Sequence, residues 1–282
     1  MADSPLTAAA ALRDHWPEYL IEGAALGIFM VVAGAVAVLL AAPDLPLLPG
    51  IPAAPQQRVV AGIALGLTAI AIIQSPWGRR SGAHLNPAVT LTFWRLGKVK
   101  AWDAVFYTLA QVAGAAIGVQ LLVLAFGHGF TDPPVSYIQT LPGPAGTAVA
   151  FLAEVGIAAG MMATVLLLSA SPRWARWTGL AAGALVATYI AIEAPISGMS
   201  LNPARSLATN VPAMQWRSLW VYLLASPLGM LLAAGAIEAW RGPRRACAKL
   251  LHTPDQRCIH CGYEPAGTRA DAITAESKGD LN

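Results

Sequence analysis

Three groups of residues in this chain have the types and spacing that chemistry uses. The first is a repeated decapeptide. Ser81-Gly82-Ala83-His84-Leu85-Asn86-Pro87-Ala88-Val89-Thr90 returns 116 residues later as Ser197-Gly198-Met199-Ser200-Leu201-Asn202-Pro203-Ala204-Arg205-Ser206, with six of ten positions identical. Asn followed by Pro is a helix start, an N-cap and then the residue best suited to the first helical position. Used twice, it sets two helix N-termini, each with unpaired N–H groups and roughly half a positive charge, against something electron-rich. The second group is Glu22 and Glu154, each inside an apolar run. A carboxylate in hydrocarbon is expensive, so it braces polar backbone, handles ions or protons, or reaches back to the interface. The third is Cys247, His252, Cys258, His260 and Cys261, which includes all three cysteines of the chain. Cys258 to Cys261 is a CxxC, and with Cys247 or His252 it would complete a tetrahedral zinc site. A redox pair and an inert tail are the alternatives, and stable disulfides are not expected in a reducing cytoplasm. No phosphate-cradling glycine loop, HExxH or GxSxG occurs, so no enzyme and no cofactor is expected.

The elements that must position these groups follow from composition and run length. Of 282 residues, 56% are hydrophobic and 12% charged, against about 25% charged in soluble domains. That composition fits a lipid bilayer. A net charge of +3 is too small and scattered to argue for nucleic acid. Met1 to Pro17 lacks the basic start of a signal peptide. Tyr19 to Leu40 is a 22-residue apolar run, about 33 Å as a helix, enough to cross. Ala41 to Gln57 carries Pro43, Pro46, Pro49, Pro52 and Pro55 and is expected to be a loop throughout. Further spans are predicted over 59–75, 102–126, 147–169, 177–194 and 217–240. A helix from Asn86 to Leu96 would be only about 16 Å long, half a bilayer, so it dips in and cannot cross. The second decapeptide opens a similar half-helix that stops at Pro212.

The plan is therefore span, span, half-helix, span, twice. Three crossings in each half make the second enter from the opposite side, so the repeats are inverted. With a cytoplasmic N-terminus, the inside segments hold Arg13, Arg79, Arg80, Arg95, Lys98, Lys100, Arg173, Arg176 and the tail, while Arg58, Arg205 and Arg217 lie outward. This bias puts both termini in the cytoplasm. All nine Trp fall at span ends or in connections, as an interfacial belt requires. Glycine pairs four apart (Gly23/Gly27, Gly62/Gly66, Gly114/Gly118, Gly156/Gly160, Gly179/Gly183) are expected to be close helix seams. Non-helical backbone at membrane depth must be buried in protein or line a wet path. Two positive helix ends facing such a path repel cations, while Asn amides and the carbonyls of 81–85 and 197–201, expected to be extended, serve small uncharged hydroxylic solutes.

Over roughly Tyr19 to Trp240 the sequence resembles the aquaporins, the major intrinsic protein family, through its two Asn-Pro-Ala motifs, Asn86-Pro87-Ala88 and Asn202-Pro203-Ala204. The resemblance implies an all-α membrane protein of six transmembrane helices and two re-entrant half-helices, assembled as a homotetramer. It implies a passive channel for water, with glycerol, urea or metalloid acids as further neutral solutes, that excludes ions and protons. By resemblance, Glu22, Glu154 and Gln111 brace the loops, and Arg205 with Met199, Ile190 and Leu65 forms the selectivity filter. This filter departs from both the water pattern, with an aromatic and a His, and the glycerol pattern, with two aromatics. Pro195-Ile196-Ser197-Gly198 resembles the nodulin-like branch. His84 has a structural reading, and a pH-sensitive gate as its rival. The expected organisation is a cytoplasmic segment 1–18, a channel domain 19–240 with repeats 19–126 and 147–240, and a loosely ordered cytoplasmic tail 241–282, in a bacterial inner membrane. The rival functions are a secondary transporter built from inverted repeats, and a membrane-anchored metal or redox module using Cys247, His252, Cys258 and Cys261.

Overall fold

The protein is described by a computed structural model covering residues 6–41, 54–242 and 247–265. Its described residues form helices and connections with no strand. The helices are α1 (Ala8–Ala41), α2 (Ala54–Gln74), α3 (Pro76–Ser81), α4 (Pro87–Arg95), α5 (Ala101–Phe126), α6 (His128–Thr131), α7 (Thr147–Ser169), α8 (Thr178–Ile192), α9 (Ala194–Ser197), α10 (Pro203–Asn210) and α11 (Leu219–Arg241). Six of them, α1, α2, α5, α7, α8 with the 3-10 turn before it, and α11, are long and apolar enough to cross a membrane. The half-helices α4 and α10 have 9 and 8 residues, about 12–14 Å of rise.

The chain order places Asn86 and Asn202 where half-helices from opposite faces meet. The closest helix pairs are α1 with α5, α7 with α11, and α2 with α8. The first two correspond under the repeat, and the third joins equivalent helices across it. Each half-helix also packs on the last long helix of the other repeat, α4 on α11 and α10 on α5, so neither half closes alone.

The glycine seams are selective. A Cβ at Gly27 would lie 2.9 Å from the Gly114 carbonyl oxygen, and one at Gly118 2.6 Å from that of Gly27. Gly62 and Gly66 stand in the same relation to Ala187 and Gly183, at 2.5 and 2.6 Å. Gly156 does not fit the expectation: nothing lies within 4 Å of its Cβ position. The α7–α11 seam instead uses Gly229, which faces the Val155 carbonyl and Ala158. Four-residue spacing puts two glycines on one face but leaves open which helix that face meets.

Three further expectations are corrected. Helix α1 starts at Ala8, not Tyr19, because His15 and Tyr19 find a buried polar partner, with His15 Nδ1 2.7 Å and Tyr19 Oη 2.6 Å from Asp103 Oδ1, and Glu18 pairs with Arg80. Pro55 lies in the first turn of α2, where a missing N–H costs nothing; the other four prolines of that connection lie outside the described residues. Residues 247–265 are folded against the protein, with Ala248, Lys249, Leu250, Cys258 and Ile259 buried; 266–282 lie outside the described residues. The nine tryptophans are all exposed, and Arg173, Arg176 and Arg241 sit over the rings of Trp174, Trp177 and Trp240.

Candidate functional site

The two decapeptides meet through their asparagines. Asn86 Nδ2 donates to the Leu201 carbonyl at 2.7 Å, and Asn202 Nδ2 donates to the Leu85 carbonyl at 2.7 Å. Each Oδ1 caps its own half-helix, accepting from Ala88 N at 2.8 Å and from Ala204 N at 3.0 Å. An amide nitrogen carries two hydrogens, so one on each asparagine is left for a partner beyond this exchange.

The segments before them are not extended as the sequence suggested. Ala83, Leu85, Met199 and Leu201 all have φ between 47° and 58°, the left-handed region that L-residues avoid at a cost of about 1–2 kcal/mol each. Gly82 and Gly198, at φ 109° and 89°, take the turns where no Cβ fits. The strain is held by two carboxylates in matching positions. Glu22 accepts from Ser81 Oγ (2.7 Å), His84 N (3.0 Å), Leu85 N (2.7 Å) and Gln111 Nε2 (2.9 Å). Glu154 accepts from Ser197 Oγ (2.8 Å), Ser200 N (2.6 Å), Leu201 N (2.8 Å) and Ser226 Oγ (3.4 Å).

Sequence reasoning missed Ser226 and two tyrosines. Tyr107 Oη donates to the Ser81 carbonyl at 2.7 Å, and Tyr222 Oη to the Ser197 carbonyl at 2.5 Å. The signal was internal: Tyr107 and Gln111 on α5, and Tyr222 and Ser226 on α11, are each one helical turn apart at matching places in the repeat. Also missed was a clasp on the loop before α7, where Asn210 Nδ2 donates to the Thr140 carbonyl and Thr140 N to Asn210 Oδ1, both at 2.9 Å.

A cavity of about 270 Å³ runs along both loops. All four sequence-predicted filter residues, Leu65, Ile190, Met199 and Arg205, line it together with Asn86 and Asn202. Pro87, Ala88, Pro203 and Ala204 do not; Ala88 and Ala204 are wholly buried in packing. The wall is apolar except at a few points. Arg205 Nη2 is 3.5 Å from the Ile138 carbonyl, and its Nη1 is buried without a partner among the described residues.

This paired half-helix geometry coincides with a family match: the family model described as "MIP: Major intrinsic protein" aligns with residues 10–236. The chain belongs to the major intrinsic protein family. It is therefore a multi-pass integral membrane protein. Curated relatives in the family include Aquaporin NIP3-1 of Oryza sativa subsp. japonica, 36% identical over 62% of this chain and 55% of that one. Aquaporin NIP6-1 of Arabidopsis thaliana is 37% identical over 60% of this chain and 54% of that one. The matched region thus spans little more than half the length of these relatives. The aquaglyceroporin from Plasmodium falciparum has the same fold, with a TM-score of 0.63 at 18% identity over 79% of this chain and 95% of that one.

The family core leaves the Cys/His segment unaccounted for. The ligand atoms of Cys247, His252, Cys258 and Cys261 all lie within 4.8 Å of one another. The three cysteines are free. Cys247 and Cys258 share a hydrogen bond across 3.3 Å, which lowers the Cys258 thiol below the ordinary cysteine value and raises that of Cys247.

Proposed function

We propose that the protein is a passive channel for water and small neutral solutes. The observation that carries this reading is the exchange of asparagine amides between inverted repeats, in the wall of a cavity shared with Arg205, whose Nη1 has no partner among the described residues. Two half-helix N-termini place positive potential at one depth, a barrier to cations and protons. The free amide hydrogens and Arg205 Nη1 offer donors to a solute oxygen. Leu65, Ile190 and Met199 make the rest of the filter apolar and non-aromatic, which suits water and small polyols, urea or metalloid acids.

The carbonyl ladder of the loops, braced by Glu22, Glu154 and Gln111, is part of the same proposal. So is a homotetramer. The cationic residues on the face of both termini support a cytoplasmic location for that face. A bacterial cytoplasmic membrane rests on the sequence reading, since the curated relatives named above are from plants. A transporter would need carboxylates free to bind a coupling ion, and those of Glu22 and Glu154 are engaged by loop donors.

The test is osmotic shrinkage of reconstituted vesicles, comparing water, glycerol and urea with and without membrane potential. Non-saturating, potential-independent flux is expected. Saturable, potential-driven uptake would replace the channel with a carrier.

A further inference from the structure

The chain's own tail lines the terminal-face end of the cavity. Leu250 lines that cavity alongside Ile73 and His84 and is 6% exposed. Its N–H donates to the Gly82 carbonyl at 3.1 Å. His84 Nε2 donates to the Ala248 carbonyl at 2.6 Å. Lys249 Nζ donates to the carbonyls of Arg79 (2.9 Å) and Arg257 (2.8 Å). On the other side of the same segment, His260 stacks on His84 with ring centroids 5.6 Å apart, and Ile259 packs with Tyr19 and Tyr107. The tail therefore grips the loop of the first decapeptide from two sides and sets an apolar side chain in the mouth.

What holds residues 247–265 in shape is not a helix or a sheet, for the segment has neither. A piece this short needs a covalent, metal or comparable staple. Three sulfurs and one imidazole nitrogen converge in it. The Cys247–Cys258 sulfur separation is 3.3 Å, and that of Cys261 Sγ and His252 Nε2 is 3.4 Å. In a tetrahedral zinc site with Zn–S near 2.3 Å, neighbouring ligand atoms lie about 3.8 Å apart, so small side-chain shifts complete the tetrahedron. The CxxC is closed by a turn in which Gly262 N donates to the Cys258 carbonyl at 2.9 Å with Gly262 at φ 72°. A thiolate-rich set of this kind selects zinc over hard cations such as Mg2+ or Ca2+.

We propose that Cys247, His252, Cys258 and Cys261 bind one zinc ion, and that this clasp keeps residues 248–250 seated in the mouth as a removable plug. The plug rests on the channel reading above, and the clasp does not. With zinc bound the mouth is closed; removal of the metal frees the segment and opens it. Because zinc binds four ligands from two short stretches, losing any one cysteine is enough to undo the clasp.

The full-length protein in reducing buffer is treated with a chelator, titrated with Zn2+, and separately loaded with Co2+. One metal per chain is expected, with the visible absorption of tetrahedral thiolate cobalt, and both are lost in a C258S/C261S variant. Uptake of no metal, or a Cys247–Cys258 disulfide that persists under reduction, overturns the clasp. Hydrogen exchange at the Leu250 amide reports the plug without reference to flux: protection is expected with zinc and its loss on chelation, and protection unaffected by zinc overturns the plug. In vesicles, chelation, C258S/C261S and deletion after Arg241 should each raise water flux several-fold over the zinc-loaded protein. Equal flux in the zinc-loaded and tail-deleted forms overturns the plug. If the tail-deleted form does not conduct at all, it is the channel reading that fails, while metal count and amide exchange still decide the clasp and its docking.

Discussion

Asn86 and Leu201 are 115 residues apart in sequence, yet the asparagine amide donates to the leucine carbonyl at 2.7 Å. The mirror contact, Asn202 to Leu85, has the same length. Each repeat thus completes the other's loop as well as lining a shared path. Replacing Asn86 or Asn202 with Ala removes a helix cap, worth about 1 kcal/mol, and leaves a carbonyl of the other repeat unpaired, at about 1–3 kcal/mol. Both variants are expected to unfold at lower temperature in detergent, by similar amounts, with a rise in proton or cation leak in vesicles. A leak confined to one of them would break the equivalence of the two loops.

Glu22→Gln and Glu154→Gln test the bracing. A carboxylate only accepts, whereas an amide points an N–H2 at donors already in place, and each N–H so stranded costs about 1–3 kcal/mol. Both variants should lose expression and thermal stability, because the left-handed residues Leu85 and Leu201 are held by those bonds, and Ala83 and Met199 through Ser81 and Ser197 Oγ, which bond to the same carboxylates. Normal stability together with altered proton coupling would instead assign the carboxylates to ion handling.

Arg205→Ala leaves the fold intact, since the guanidinium makes one long contact, to Ile138, at 3.5 Å. Water flux should persist and selectivity against protons and cations should fall, read as a pH or potential change across the vesicle membrane. Unchanged selectivity would place the cation barrier on the half-helix ends alone.

The glycines divide into two classes that substitution separates. Gly27→Leu should abolish folded protein, because a side chain there meets the Gly114 backbone. Gly156→Ala meets nothing within 4 Å and gains about 1 kcal/mol of helix propensity. Its melting temperature should be equal or higher, which a thermal unfolding series would read directly.

Much of this protein was determined by sequence alone. Apolar run length sets six crossings, because a bilayer accepts only helices long enough to span it. The Asn-Pro pairs set two helix starts, and run length makes them half-helices. An odd number of crossings in each repeat then forces the inversion. The Cys/His spacing left a zinc site, a redox pair and an inert tail open. Tertiary structure decided the rest, because each remaining feature depends on which surface meets which. Spacing put Gly156 and Gly160 on one face, but only packing revealed that the α7–α11 seam uses Gly229. A polar decapeptide reads as extended until Glu22 and Glu154 draw its N–H groups inward and turn alternate residues left-handed. A polar tail reads as loose until Gly82 and His84 offer the partners that seat Ala248 and Leu250. Local propensity depends on neighbours in the chain, and these contacts join residues more than 40 positions apart, so only the closed fold could decide them.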